Sequence, residues 1–167
     1  MIRNTIRLIK NIQSNLMESE KKYYHGDNTE YKIGDIISIE ATDLEEVSKD
    51  IIDAYNKNLN LGYNIEKAVY LIDNLNKVEE YKEPYRFVYE VEPINLSKAF
   101  SSDYSCIMCE DFLSKHKNEN RPILIEAFIK AYTGDNDTKN KLELAFNYDK
   151  SDTIEYLCKE AKVTNIM

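Results

Sequence analysis

Tryptophan is absent from this chain, and glycine and proline are scarce, at 4 and 3 of 167 residues. So few turn formers exclude collagen-like repeats, flexible glycine-rich linkers and tandem turns. They also exclude a glycine loop that cradles phosphates, which needs several glycines within a few residues. The 3 cysteines are an odd set, which does not make a secreted disulfide framework and points to a reducing, cytoplasmic setting. No apolar run reaches the ~18–20 residues of a membrane span. No signal peptide is expected, because the first residues lack its uninterrupted apolar core. Positive charge is in the minority, with 22 lysines and arginines against 30 aspartates and glutamates. The net charge of −8 disfavours non-specific binding to nucleic acid or to an anionic membrane, both of which need clustered cations.

What is present is ordinary for a globular protein. A hydrophobic fraction of 43% is enough to bury a core in one domain over residues 1–167. Abundant tyrosine, lysine, asparagine and isoleucine point to a low-GC microbial or phage genome. Ile2, Ile6, Ile9, Ile12 and Leu16 recur at steps of three and four, the stripe of an amphipathic helix over about 2–17 that packs on its own domain. Residues 22–25 read as a short strand that ends in a tight turn, with a loop over 28–35. Asp43, with Glu46 three residues on, comes close to a capping box and opens a helix to about Asn58. Residues 67–72 read as a buried strand, and 75–81 as a short helix. In 85–92, Phe87, Tyr89 and Val91 alternate with Val88, Glu90 and Glu92, the clearest strand of the chain, closed by Pro93. Helices are expected over 103–117 and from Pro122 to Gly134. Two last strands are expected at 142–148 and 153–157. About five strands interleaved with four or five helices, without strict alternation, make an α+β pattern with several antiparallel strands.

Cys106-Ile107-Met108-Cys109 has the spacing of a redox or zinc pair, but only Cys158 and His116 remain as partners, so the two thiols are read as core residues of a helix. Glu90-Val91-Glu92 puts two carboxylates on one strand face. Arginine-directed ADP-ribosyltransferases carry such a Glu-x-Glu element, but a solvated face is the simpler reading. His25 is one of only two histidines and precedes Gly26, a pair that either caps a turn or presents an imidazole and bare backbone to a ligand. His25, Tyr70 and Glu143 each lie on or at the end of a different expected strand. Around one cleft they would suit cleavage of a nicotinamide nucleotide. The histidine would hold a ribose hydroxyl, the tyrosine ring would stack on nicotinamide, and the carboxylate would steady the oxocarbenium-like charge.

Tyr24-His25-Gly26-Asp27 followed by Lys32-Ile33-Gly34-Asp35 resembles the opening of small microbial ADP-ribosyltransferase-like domains, the rifampicin ADP-ribosyltransferases among them. Val69-Tyr70-Leu71 is similar to that family's second-element tyrosine, with Tyr63 as the rival. Val88-Tyr89-Glu90-Val91-Glu92-Pro93 resembles its Val-Glu-Pro strand. Ala131-Tyr132-Thr133-Gly134 and Leu142-Glu143-Leu144-Ala145-Phe146 resemble an uncharacterised bacterial branch near the same fold. The similarity covers residues 22–157 in short motifs. It implies an antiparallel split sheet flanked by helices, with NAD held by Tyr24, His25, Gly26 and Tyr70. It implies a His-Tyr-Glu set of His25, Tyr70 and Glu143, or Asp103 in the third place as in rifampicin-type enzymes. Asp27 departs from the pattern, because many members carry Ser or Thr there.

The expected function is therefore transfer of ADP-ribose from NAD to a protein or small-molecule acceptor by a cytoplasmic microbial or phage effector. The alternative from another class is a non-catalytic interaction protein that inhibits a host or defence factor by surface binding. A toxin or antitoxin component is a third possibility, and no residue pattern in the chain distinguishes it.

Overall fold

The computed structural model describes residues 21–39, 44–77, 85–148 and 151–167, and the helix expected over 2–17 lies outside them. Among the described residues are seven strands and four α-helices, an α+β protein whose sheets are antiparallel throughout. The strands are β1 (Tyr23–Asp27), β2 (Ile36–Ile37), β3 (Val69–Leu71), β4 (Phe87–Ile94), β5 (Phe100–Ser101), β6 (Ile154–Cys158) and β7 (Glu160–Ile166). The helices are α1 (Lys49–Leu59), α2 (Cys106–Lys115), α3 (Arg121–Tyr132) and α4 (Asn136–Phe146). One sheet has the order β1-β4-β7-β2 and the other β3-β6-β5.

Three layers result, because the smaller sheet buries both faces. Val69, Leu71, Tyr156 and Cys158 pack on Ile37, Tyr89, Val91, Ala161 and Val163 of the larger sheet. Side chains alternate along a strand, so Tyr70, Leu157 and Phe100 face the other way, into the helical layer. The two sheets are tied edge to edge by one bridge, in which the Tyr24 N–H donates to the Ile72 carbonyl at 2.8 Å and the Ile72 N–H returns to Tyr24 at 3.1 Å. With no tryptophan, tyrosine and phenylalanine supply the large rings of the helical layer. Phe128 has no exposed surface and meets Tyr104, Phe112 and Tyr148 at 5.0–5.6 Å between centroids.

Several boundaries differ from the sequence reading. β1 runs on through Gly26 and Asp27, so His25 sits mid-strand opposite Tyr89 and the turn comes later, at Gly34 with φ +97°. The first described helix starts at Lys49, six residues after the expected cap. Leu44 to Val47 closes a turn, and the Ser48 carbonyl accepts the first helical N–H bonds. Asp43 itself lies outside the described residues. β4 extends through Pro93, which is tolerated because β1 reaches only Val91 and leaves that edge open.

The strand expected at 142–148 is helix α4. The alternation of Leu142, Leu144 and Phe146 suggests a strand, but Leu144 is 88% exposed while Leu142 is buried and Phe146 packs on the core one turn later. Asp135 caps the helix by accepting from Asp137 and Thr138 N–H groups, and Asn147 in the left-handed region (φ 50°) ends it. β7 was not anticipated, yet it is a central strand paired to both β4 and β2, with Ala161 and Val163 buried between polar neighbours.

The ring cluster around Phe128 sets a stability test. Phe128→Ala empties a fully buried ring site, and the expected cost is about 3–5 kcal/mol in urea unfolding. A loss below about 1 kcal/mol would contradict this packing.

Candidate functional site

The cavity that gathers the most chemistry lies where β1 meets the smaller sheet and the first turn of α2. His25, Gly26, Tyr70, Tyr85, Ser105 and Glu155 are among its lining residues, and its volume is about 180 Å³. Cavities of ~150 Å³ hold one benzene, so this one has room for a single aromatic ring.

Strand register explains why these residues meet. Tyr70 on β3 pairs with Leu157 on β6, and Glu155 follows two residues along on the same face, opposite Phe100 of β5. The Tyr24–Ile72 bridge brings the adjacent β1 residues alongside, and His25 Nδ1 lies 2.9 Å from the Tyr70 carbonyl oxygen. A carbonyl only accepts, so Nδ1 carries a proton in this bond, and Nε2 is the nitrogen that faces Asp27. Nε2 lies 3.4 Å from Asp27 Oδ2. Asp27 also accepts from the Thr29 N–H at 2.9 Å and, more distantly, from the Tyr31 hydroxyl at 3.4 Å. Burial pushes against ionisation of Asp27, but its bonds from His25 and Thr29 outweigh that and hold the carboxyl down to about 2.

Glu155 is the buried acid of the site. Burial is the main cause of its rise to about 7, the nearby Asp103 charge adds to it, and a bond from the Tyr132 hydroxyl at 2.7 Å works the other way. A carboxyl poised near neutrality in a cleft is the kind of group that acid–base and charge-stabilising chemistry uses. The Tyr70 hydroxyl is 4.0 Å from Cys106 Sγ, and its ring forms part of the wall.

Gly26 allows the closest approach in the site. A Cβ built there would stand 2.3 Å from Tyr85 Cδ2, so the Tyr85 ring rests directly on glycine backbone.

The structure brings His25, Gly26 and Tyr70 together and separates the other expected residues from them. Glu143 is on helix α4 and does not line the cavity, because the segment expected to be a strand is helical. Asp103, the alternative acid, sits in a 3-10 turn with its carboxylate engaged by the Ser151 N–H and hydroxyl and by the Asp152 N–H, at 2.7–3.0 Å. It anchors the approach to β6. Tyr24 points away from His25 and packs with Ile72 and Val88, so it is not a wall of the cavity. Tyr63, the rival to Tyr70, packs against the helical core. Glu155 was missed, although its strand was expected at 153–157; an acid alternating with apolar neighbours in that strand was the available signal.

Outside the cavity the other motifs are structural. Cys106, Cys109 and Cys158 are buried free thiols, with burial raising them to about 11, 12 and 12. No group of three or more metal-ligating side chains exists among the described residues. Glu90 pairs with Lys22 at 3.1 Å and Glu92 is exposed. Among the described residues no helix is long and apolar enough to cross a membrane. Comparison with family models, curated proteins and solved structures found no match to this chain.

Two measurements test the site. The folded state holds a proton on Glu155 up to about pH 7, whereas an ordinary glutamate loses it near 4.5. Between those values the folded chain binds more protons, so stability declines as pH rises through the window and the penalty is complete above it. Glu155→Gln escapes this, and its stability relative to wild type is expected to improve from pH 4.5 to pH 8 by on the order of 1–3 kcal/mol. A pH-independent difference in urea midpoints would refute the buried acid. Separately, Gly26→Ala is expected to cost roughly 1–3 kcal/mol through overpacking against Tyr85. Tyr85→Ala should cancel most of that cost in a double-mutant cycle, and strict additivity would show that the ring does not rest there.

Proposed function

We propose that this chain is an ADP-ribosyltransferase-like protein that takes NAD as donor and modifies a protein or small-molecule acceptor, as a microbial or phage effector would. The observation that carries the proposal is the convergence of His25, Gly26, Tyr70 and Glu155 on one ring-sized cavity. The sequence resemblance implies His25 and Tyr70 with Glu143 or Asp103, and this reading puts Glu155 in the place of the acid. The antiparallel split sheet flanked by helices implied by the same resemblance is compatible with a four-stranded and a three-stranded antiparallel sheet under a helical layer.

Each group has a role that its chemistry supports. The cavity takes the nicotinamide ring against Tyr70, and the remainder of NAD lies outside it. His25, with Nδ1–H committed to the Tyr70 carbonyl, exchanges the Asp27 contact of its Nε2 for a ribose hydroxyl. The ionised Glu155, on the cavity wall, faces the ring's bond to C1′, where positive charge develops as that bond weakens. The C1′–N bond breaks and its electron pair leaves with nicotinamide, which departs neutral. The acceptor's heteroatom bonds to C1′ and releases one proton.

A second reading, a non-catalytic interaction protein, is favoured by two observations. Asp27 stands 3.4 Å from the His25 nitrogen that a ribose would address, and Tyr85 covers Gly26.

NAD turnover separates the two. Incubated with NAD and a cell lysate, the protein is expected to release nicotinamide and leave an ADP-ribose mass shift on its acceptor. His25→Ala and Glu155→Gln should each lower the rate by on the order of 100-fold or more. No consumption of NAD, together with no rise in thermal midpoint at saturating NAD, would leave the interaction reading in place.

A further inference from the structure

We propose that Tyr132 is the positioning residue of the site: its hydroxyl holds one carboxylate oxygen of Glu155 and leaves the other for a ligand in the cavity. The inference rests on the proposed role of Glu155, and concerns a residue that does not itself line the cavity.

The hydroxyl of Tyr132 donates to Glu155 Oε1 at 2.7 Å, and both side chains are buried. Oε2 has no hydrogen-bond partner among the described residues, while the residue lines the cavity. A buried carboxylate with one bond made and one oxygen open is arranged to receive a donor from a bound molecule. The donor is also held rigid. The Tyr132 ring stacks on Phe100 with centroids 4.5 Å apart and planes at 10°, and leans on Tyr55 at 5.6 Å. Phe100 is itself the strand partner of Glu155, so one stacked ring registers both ends of the bond. Tyr132 ends helix α3, whose last turn is fastened by bonds from Thr133 and Gly134 N–H groups to Ile129 and Ala131 carbonyls. The phenol therefore cannot follow the carboxylate if the latter rotates. It fixes a single orientation, as a preorganised site requires.

The other ionisable groups around Glu155 come from every element packed there. They are Asp103 before α2, Cys106 on α2, Tyr55 on α1, Tyr70 on β3 and His25 across the cavity. Lys139 of α4 is bonded to the Ser101 hydroxyl, next to Phe100. Tyr132 is the one among these that donates directly to the carboxylate.

The test follows the Glu155 carboxyl by carbon-detected NMR in the full chain, without NAD, alongside the pH profile of NAD consumption. Tyr132→Phe keeps the stacked ring and removes only the hydroxyl. Its Glu155 titration is expected to move up by about one pH unit. Turnover should then fall roughly tenfold at pH 6.5 and return close to the wild-type rate at pH 9, because the lost step is ionisation rather than folding. With 3-fluorotyrosine at position 132, a stronger donor of nearly the same volume, the titration should move down; this variant decides the matter if the phenylalanine one does not fold. An unmoved titration in these variants, or an equal loss of turnover at every pH, would overturn the positioning role. If the wild type consumes no NAD, the ADP-ribosyl reading fails, and the NMR titration alone still decides whether Tyr132 holds the acid.

Discussion

The arrangement depends on a pair of backbone hydrogen bonds between Tyr24 and Ile72. They are the point at which the larger sheet, through β1, meets the smaller sheet just past β3. His25 and Tyr70 belong to separate sheets, and this junction sets them side by side so that the imidazole reaches the Tyr70 carbonyl. Backbone pairing is insensitive to the side chains it carries, so this junction constrains the site geometrically and leaves its chemistry to the residues alongside. The three-stranded sheet supplies the other constraint. Because it buries both faces, its polar residues must find partners or a cavity, and Glu155 has both.

Much of the fold was legible where period and length agreed. β4 was readable from its alternation of Phe87, Tyr89 and Val91, and α3 from Pro122 and its apolar run, which is buried at Leu124, Ile125, Phe128 and Ile129. α4 was not, because three apolar residues spaced by two mimic a strand whenever the other helical positions are short of hydrophobes. There the Asp135 cap carried the better signal. β7 was invisible for a different reason. Its buried residues are only Ala161 and Val163, and its lysine, threonine and asparagine reach solvent, so local pattern is weak and pairing on both sides decides the conformation.

The candidate site was half legible. His25-Gly26 and Tyr70 stood out as rare or well-placed residues in strands that did form. The acid could not be chosen among Glu143, Asp103 and Glu155 without knowing which strand lies beside β3, and that is a long-range fact. One error in secondary structure therefore put Glu143 on a strand beside the cavity, whereas it sits on α4 and does not line it. Tyr132 had no sequence signal tying it to an acid 23 residues away.

The three thiols have a consequence of their own. Cys106, Cys109 and Cys158 are closed off from solvent, and each is held in its unreactive protonated form by its surroundings. An oxidant meets no thiolate until the surrounding core has opened. Chemical ageing of sulfur in this molecule is thus governed by how often the core breathes, and redox damage becomes a record of past opening events.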